Sequence, residues 1–120
     1  MDFHWPEYLQ MAKCLKDHDG KLFSQEAALR SAISRSYFAT FCCARNYARD
    51  KLDFHPQYTA EDHRTLRLYF QQKNMIKQAS ALDAMRQFRN KSDYEDRITN
   101  INEITISAIA KAESIIGTFT

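Results

Sequence analysis

Four residues with reactive or charged side chains lie together at the end of the segment LDAMRQFRNKSDYE: Arg89, Asn90, Asp93 and Tyr94. Arg89 follows Leu82 and Met85 at helical spacing, which places it at the border of an apolar face. A guanidinium at such a border is costly unless it is paired or faces a groove. Arginine also clamps phosphate and stabilises developing negative charge, so this segment is the first candidate for a functional site.

Two interpretations of this segment are open from the residues alone. Asp93 lies four residues after Arg89 and can pair with it if the helix continues that far, and it can in principle act as a base. Alternatively, Arg86, Arg89 and Lys91 simply complement the negative end of the helix dipole. Tyr94 can pack its ring and cap a neighbour with its hydroxyl.

Helices are expected to position these residues. Only two glycines and two prolines occur among 120 residues, which is too few breakers for the many turns of an all-β fold. The apolar periodicity predicts one domain, residues 1–120, that is all-α: an up-and-down antiparallel bundle of about five helices. The predicted helices span about 5–17, 24–52, 59–73, 76–91 and 100–119.

The second predicted helix is expected to be the central one. Its apolar stripe runs from Leu29 to Leu52, and a second apolar face adds Phe38 and Cys42, so several neighbours must pack against it. Ser24 is predicted to cap its amino terminus. Capping boxes are also predicted for two later helices, from Thr59 with Asp62 and from Asn100 with Glu103.

Composition limits the classes of function. The net charge of the chain is only +2, but the segment from residue 30 to residue 51 is strongly basic. It contains one acid, Asp50, and five cationic residues, Arg30, Arg35, Arg45, Arg49 and Lys51. These residues form either a surface for phosphates or a solvated helix face. The aromatic residues of this region are expected mainly in the core.

The cysteines and the termini indicate the compartment. Cys14, Cys42 and Cys43 are expected to be buried, reduced thiols. Because cysteine and histidine lack ligand spacing, no metal site is expected. With no secretory signal and no long apolar run, the chain is expected to be soluble and cytoplasmic, without membrane contact.

The segment AALRSAISRSYFATFCCARNYARDK resembles the central helix of HEPN-domain proteins, the small helical partners of minimal nucleotidyltransferases. LDAMRQFRNKSDYED is similar to the family element that ends in Arg and then Asp-Tyr. The resemblance extends from about Tyr8 to Phe119. It implies a HEPN-like helical domain that forms a homodimer, is paired with a nucleotidyltransferase in a toxin–antitoxin or defence setting, and needs no cofactor.

Many HEPN proteins are metal-independent ribonucleases with an Arg, four to six residues and then a His, and the two motifs face each other across the dimer groove. The resemblance places the Arg at Arg89, the following polar residue at Asn90 and the His position near Tyr94, and no histidine follows His63. General acid–base help is worth about 10²–10⁴-fold in rate and is best from a group that titrates near neutrality, as histidine does and tyrosine does not. Weak ribonuclease activity or none is therefore expected.

The resemblance implies two further roles. In some nucleotidyltransferase–HEPN pairs a tyrosine near the motif receives AMP from the partner, a role that would fall to Tyr94. Arg35, Arg86, Arg89 and Lys91 are the candidate residues for binding nucleotide or RNA in the groove, although Arg35 can equally be solvated. The first hypothesis is thus a regulatory binding protein. The runner-up is a divergent ribonuclease in which Arg89 clamps phosphate, and the third hypothesis is a purely structural adaptor bundle.

Overall fold

Five helices and no strand make up residues 2–119, the part of the chain that the computed structural model describes. In chain order they are α1 (Glu7–Lys16), α2 (Gln25–Lys51), α3 (Asp62–Gln72), α4 (Ile76–Tyr94) and α5 (Ile101–Thr118). The predicted all-α class and number of helices are therefore confirmed. Met1 and Thr120, the ends of the predicted domain 1–120, lie outside the described residues.

Helix α2 is the centre of the fold and packs against all four other helices. Its buried residues lie on several sides of the helix, and many of them are small, including Ala32, Ala39, Ala44 and Ala48. Small side chains let neighbouring helices approach closely, while Tyr37, Ile33 and Phe41 fill the space between them. The predicted central position of this helix is confirmed.

Of the predicted side-chain caps, only that of α2 forms. The Ser24 side chain accepts a hydrogen bond from the Ala27 backbone N–H at 3.0 Å, as an N-cap does. Neither predicted capping box forms: α3 begins three residues after Thr59, and Asn100 makes no side-chain cap. The buried Asp62 carboxylate instead accepts two backbone N–H groups of the preceding loop, from residues 57 and 58.

Helix α4 is three residues longer than predicted, and Arg30 of α2 accounts for its end. The Arg30 guanidinium donates to the backbone carbonyls of Ser92, Glu95 and Asp96 at 3.0, 2.6 and 3.1 Å. A helix end leaves its last carbonyls without intrahelical partners, so this long-range contact satisfies them. Arg30 is thereby committed to the fold, and Asp93 stays on the helix four residues after Arg89.

One prediction about the thiols is wrong. Cys42 is buried and Cys43 is partly buried, but Cys14 is exposed, since it lies about half a turn from the buried Ala12 on α1. Burial raises the pKa of the Cys43 thiol to about 11. Within residues 2–119, no helix is sufficiently long and apolar to cross a bilayer.

Candidate functional site

Arg89 is paired on its own helix, as the spacing to Asp93 allowed. Its Nε lies 3.1 Å from Asp93 Oδ2, and its Nη1 donates to Asn90 Oδ1 at 3.1 Å. The Nε atom is buried, and its N–H is too poorly aligned with the carboxylate to count as a hydrogen bond. The contact is therefore a charge interaction that leaves the guanidinium with donor capacity to spare.

Two more guanidiniums converge beside Arg89. Arg67 of α3 and Arg86 of α4 both approach Asp83 Oδ1, at 3.6 and 3.2 Å. The Nε of Arg86 is also buried without a hydrogen-bond partner. This arginine cluster, Arg67, Arg86 and Arg89, thus has three positive charges against the two negative charges of Asp83 and Asp93.

The extended α4 removes one of the two interpretations of these arginines. Only Lys91 lies in the last turn of the helix, whereas Arg86 and Arg89 lie further back. The favourable effect of a cation on the helix dipole is confined to the last turn. Complementing the dipole therefore accounts for Lys91 but not for the two arginines.

Helix α3 brings an imidazole to the arginine cluster. His63 Nδ1 is hydrogen-bonded to the Tyr37 hydroxyl, and the ring stacks on Phe41 with centroids 3.9 Å apart. Burial, the largest cause, and the positive charges of Arg89 and Arg67 together lower the pKa of His63 to about 4. The imidazole is therefore neutral at pH 7.

Tyr37 is held in its protonated form at the same place. Burial raises the pKa of the Tyr37 hydroxyl to about 12, and the nearby positive charges of Arg67, Arg89 and Arg86 offset only part of that rise. The pair of His63 and Tyr37 is consequently an uncharged hydrogen-bonded unit at neutral pH, beside an excess of positive charge.

The sequence-based interpretation missed His63, although a signal for it exists. His63, Leu66 and Phe70 recur at spacings of three and four, and Leu66 and Phe70 are fully buried. A histidine on the buried stripe of a helix must face a neighbouring helix. The family pattern placed the histidine after Arg89 in the chain, whereas the fold places one beside it from another helix.

Aromatic rings alternate with the arginines on this side of the molecule. The Phe38 ring has two guanidinium carbons, those of Arg35 and Arg89, each 5.2 Å from its centroid. Arg35 also lies 4.8 Å from the centroid of Tyr8, and Arg89 lies 5.8 Å from that of Tyr94. Arg35 therefore faces the same surface as Arg89, which resolves the alternative that it is merely solvated.

Two open depressions adjoin the Arg89–Asp93 pair. The first, which we call the basic pocket, has a volume of about 610 Å³ and contains three cations and one acid; it is lined by Arg86, Gln87, Arg89, Asn90, Lys91, Tyr94 and Glu95. The second, the α1–α2 cleft, has a volume of about 540 Å³ and contains Arg35 and Asp93 opposite the apolar Met11, Leu15 and Phe23. The candidate residues from the sequence therefore divide between two adjacent depressions.

Tyr94 is 73% exposed, which contradicts the interpretation that its ring packs and its hydroxyl caps a neighbour. Tyr94 is exposed because it lies in the last turn of α4, where its ring contacts the Arg89 guanidinium on one side and faces solvent on the other. An exposed phenol at the rim of the basic pocket is accessible to a macromolecular partner.

The chemistry that these side chains support is anion binding. Guanidiniums with spare donors and a surplus positive charge attract phosphate or carboxylate groups. Within residues 2–119, no group of three or more His, Cys, Asp or Glu side chains is placed to hold a metal ion. Proton transfer would fall to His63, which is a weak base at its lowered pKa.

No family model, curated protein or solved structure matches this chain.

Proposed function

We propose that this chain is a HEPN-like regulatory binding protein. In this proposal its helices form the up-and-down antiparallel arrangement of that family, and the chain is a cytoplasmic homodimer. It works with a nucleotidyltransferase partner in a toxin–antitoxin or defence setting and holds nucleotide or RNA phosphates at the basic pocket. The likeness of its central helix and of the segment around Arg89 to that family motivates the partner and the setting.

The observation that carries the binding proposal is the arginine cluster. Three guanidiniums from two helices face two carboxylates, and the basic pocket adds one cation, Lys91, and one acid, Glu95, so a net positive charge of one remains. A bound phosphate would supply the missing negative charge and accept the spare donors. The exposed ring of Tyr94, which contacts Arg89, is available for base stacking beside the phosphates.

Binding of a fluorescent single-stranded RNA at several salt concentrations tests the cluster. We expect the double substitution Arg86→Gln and Arg89→Gln to weaken binding and to reduce the slope of log K against log salt by roughly 0.7 per lost phosphate contact. Arg64→Gln is the matched control, because that arginine is exposed and pairs with Glu61, the residue just before α3. Equal binding and slopes in all three proteins would reject the site.

The partner proposal is tested by mass. Transfer of AMP from ATP to a tyrosine hydroxyl releases pyrophosphate and leaves the protein heavier by one AMP group. We expect this gain after incubation with ATP and the nucleotidyltransferase that co-purifies with the chain, and we expect Tyr94→Phe to abolish it. Tyr58→Phe is the control, since Tyr58 is another strongly exposed tyrosine, 61% against 73%. A gain that persists in Tyr94→Phe would remove Tyr94 from the proposal.

A second candidate function, metal-independent RNA cleavage, is favoured by one observation, the imidazole beside the arginine cluster. In such cleavage a base takes the proton of the 2′-hydroxyl, whose oxygen attacks phosphorus to form a cyclic phosphate, and an acid protonates the leaving 5′-oxygen. His63 with its lowered pKa would be the base, and Arg89 would hold the phosphate. A neutral imidazole of such low basicity predicts slow cleavage.

Incubation of RNA in the presence of a chelator tests this candidate. If it is correct, cleavage should be lost in His63→Gln and in Arg89→Gln but retained in His55→Gln, which changes an exposed loop histidine. Cleavage that survives both site substitutions comes from a contaminant or from another site. Absence of cleavage in the unaltered protein leaves the binding function alone.

A further inference from the structure

The α1–α2 cleft has the size and the lining of a site for one flat, partly polar ligand. Its volume of about 540 Å³ lies within the range of small-molecule sites, roughly 300–1,000 Å³. One wall is apolar and consists of Met11, Leu15 and Phe23. His18, which does not line the cleft, stacks on the Phe23 ring with centroids 4.0 Å apart and holds it in place.

The opposite wall presents an unused acceptor. Both contacts of the Asp93 carboxylate, from Arg89 Nε at 3.1 Å and from the Ser34 hydroxyl at 3.4 Å, use Oδ2. Among residues 2–119 no hydrogen bond to Oδ1 is found, so its two lone pairs can accept two donors of a ligand, and an ionised carboxylate accepts but does not donate. The cleft thus selects a ligand that carries N–H donors on the edge of an aromatic ring.

Guanine fits this pattern better than the other bases. Its Watson–Crick edge has two adjacent donors, the ring N1–H and the exocyclic amine, and one acceptor, O6. The donors suit the carboxylate of Asp93, and the hydroxyl of Ser31 or the guanidinium of Arg35 in the same cleft suits O6. Adenine places an acceptor at N1, which would face the carboxylate with no proton between them.

The cleft is connected to the basic pocket by a single side chain. Arg89 lines the basic pocket, where its Nη1 donates to Asn90, while its Nε lies against Asp93 in the cleft. A nucleotide that placed its base in the cleft would bring its phosphates toward the guanidinium groups of Arg86 and Arg89. The two depressions together accommodate the apolar, hydrogen-bonding and anionic parts of one nucleotide.

We propose that the α1–α2 cleft is a guanine site, in which Asp93 reads the donor edge of the base while the phosphates lie in the basic pocket. This inference rests on the proposed phosphate-binding function and adds the identity of the base. It makes Asp93 the specificity residue of the site, whereas the arginines bind phosphate whatever the base.

Calorimetric titration with GTP, with ATP and with inorganic tripolyphosphate separates the two parts. A correctly oriented two-bond contact to a base edge is worth about 5- to 150-fold in discrimination, so we expect GTP to bind tighter than ATP by a factor in that range. Tripolyphosphate should bind, because it occupies the basic pocket alone, but more weakly than GTP.

The substitution Asp93→Asn tests the reading of the base directly. An amide offers one acceptor and one donor, the pattern that matches adenine, so we expect the preference for GTP to be lost and to turn toward ATP. Asp96→Asn is the matched control: it removes the same charge three residues along, outside both depressions, and should keep the preference for GTP.

The outcomes distinguish this inference from the function on which it rests. If tripolyphosphate and both nucleotides bind equally, the basic pocket stands and the guanine site is overturned. If none of them binds, both proposals fail. A preference for GTP that Asp93→Asn leaves unchanged also overturns the guanine site. Hexaribonucleotides with one guanosine or one adenosine among uridines then show whether the guanine comes from RNA or from free nucleotide.

Discussion

Acid should destabilise this protein through His63, and the size of the effect follows from the pKa. Unfolded histidine titrates near 6.5, whereas the folded His63 has a pKa of about 4. Between these values the unfolded chain binds a proton that the folded protein does not bind. The stabilisation is therefore complete above about pH 6.5 and is lost as the pH falls toward 4.

For a drop from pH 7 to pH 4.5, linkage gives a loss of roughly 2–3 kcal/mol. Because the ring is only partly buried, screening by solvent reduces the expected loss to about 2 kcal/mol. The groups that set the balance are Arg89, Arg67 and Arg45, which oppose protonation, and Asp62, which favours it. Burial remains the largest cause.

Urea denaturation at pH 7 and at pH 4.5 measures the effect. Carboxylates titrate in the same pH range. The contribution of His63 is therefore the loss of unfolding free energy between pH 7 and pH 4.5 in the unaltered protein minus the same loss in His63→Gln. Glutamine keeps a hydrogen-bonding partner for the Tyr37 hydroxyl but does not titrate. His55→Gln, at an exposed loop position, controls for the exchange of a histidine for glutamine.

The reasoning is refuted if His63→Gln loses as much free energy of unfolding on acidification as the unaltered protein. A direct measurement exists as well, because the imidazole C–H resonance in NMR spectra reports its own titration. A midpoint near pH 6.5 for His63 would show that neither burial nor the arginines act on the ring as the geometry indicates.

The remaining predictions concern the parts of the fold that position the site. Arg30→Met removes three charge-assisted hydrogen bonds to carbonyls at the end of α4. We expect a loss of about 2 kcal/mol of unfolding free energy and faster amide exchange in the last turn of α4. Arg64→Met, at an exposed position, is the control. Asp62→Ala leaves two loop N–H groups without their buried acceptor; we expect a loss of about 2–3 kcal/mol by urea denaturation, and Asp62→Asn, which keeps one acceptor oxygen, should recover part of it.

The sequence is sufficient to predict the helices and most of their ends, but not the end of α4. The apolar stripe of α2 is long and its Ser24 cap is local, so both are visible in the chain. The end of α4 depends on Arg30, which lies more than sixty residues earlier, and no local pattern reveals that contact. Without it the helix is expected to end at Lys91, and the pairing of Arg89 with Asp93 stays undecided.

The candidate site was predictable in its arginines and not in its histidine. Arg86 and Arg89 are recognised because charged residues at the border of an apolar face need partners. His63 and Arg67 come from another helix, and their meeting with Arg89 depends on how α3 packs against α4. The buried stripe that His63 shares with Leu66 indicates only that the ring faces inward, not which charges it meets.

Anion binding and proton transfer are coupled at this place because they depend on the same charges. The arginines that attract a phosphate also disfavour a proton on His63, and burial acts in the same direction. A bound phosphate would compensate the excess positive charge and so raise the pKa of the imidazole toward its ordinary value. At a pKa of about 4 the imidazole is a weak base and is rarely protonated to act as an acid, and a bound anion would improve it in both roles. The same arrangement can therefore serve a protein that mainly binds anions or a slow ribonuclease. How stably an anion is bound decides how far the pKa of the imidazole rises, and so how much cleavage the site can support.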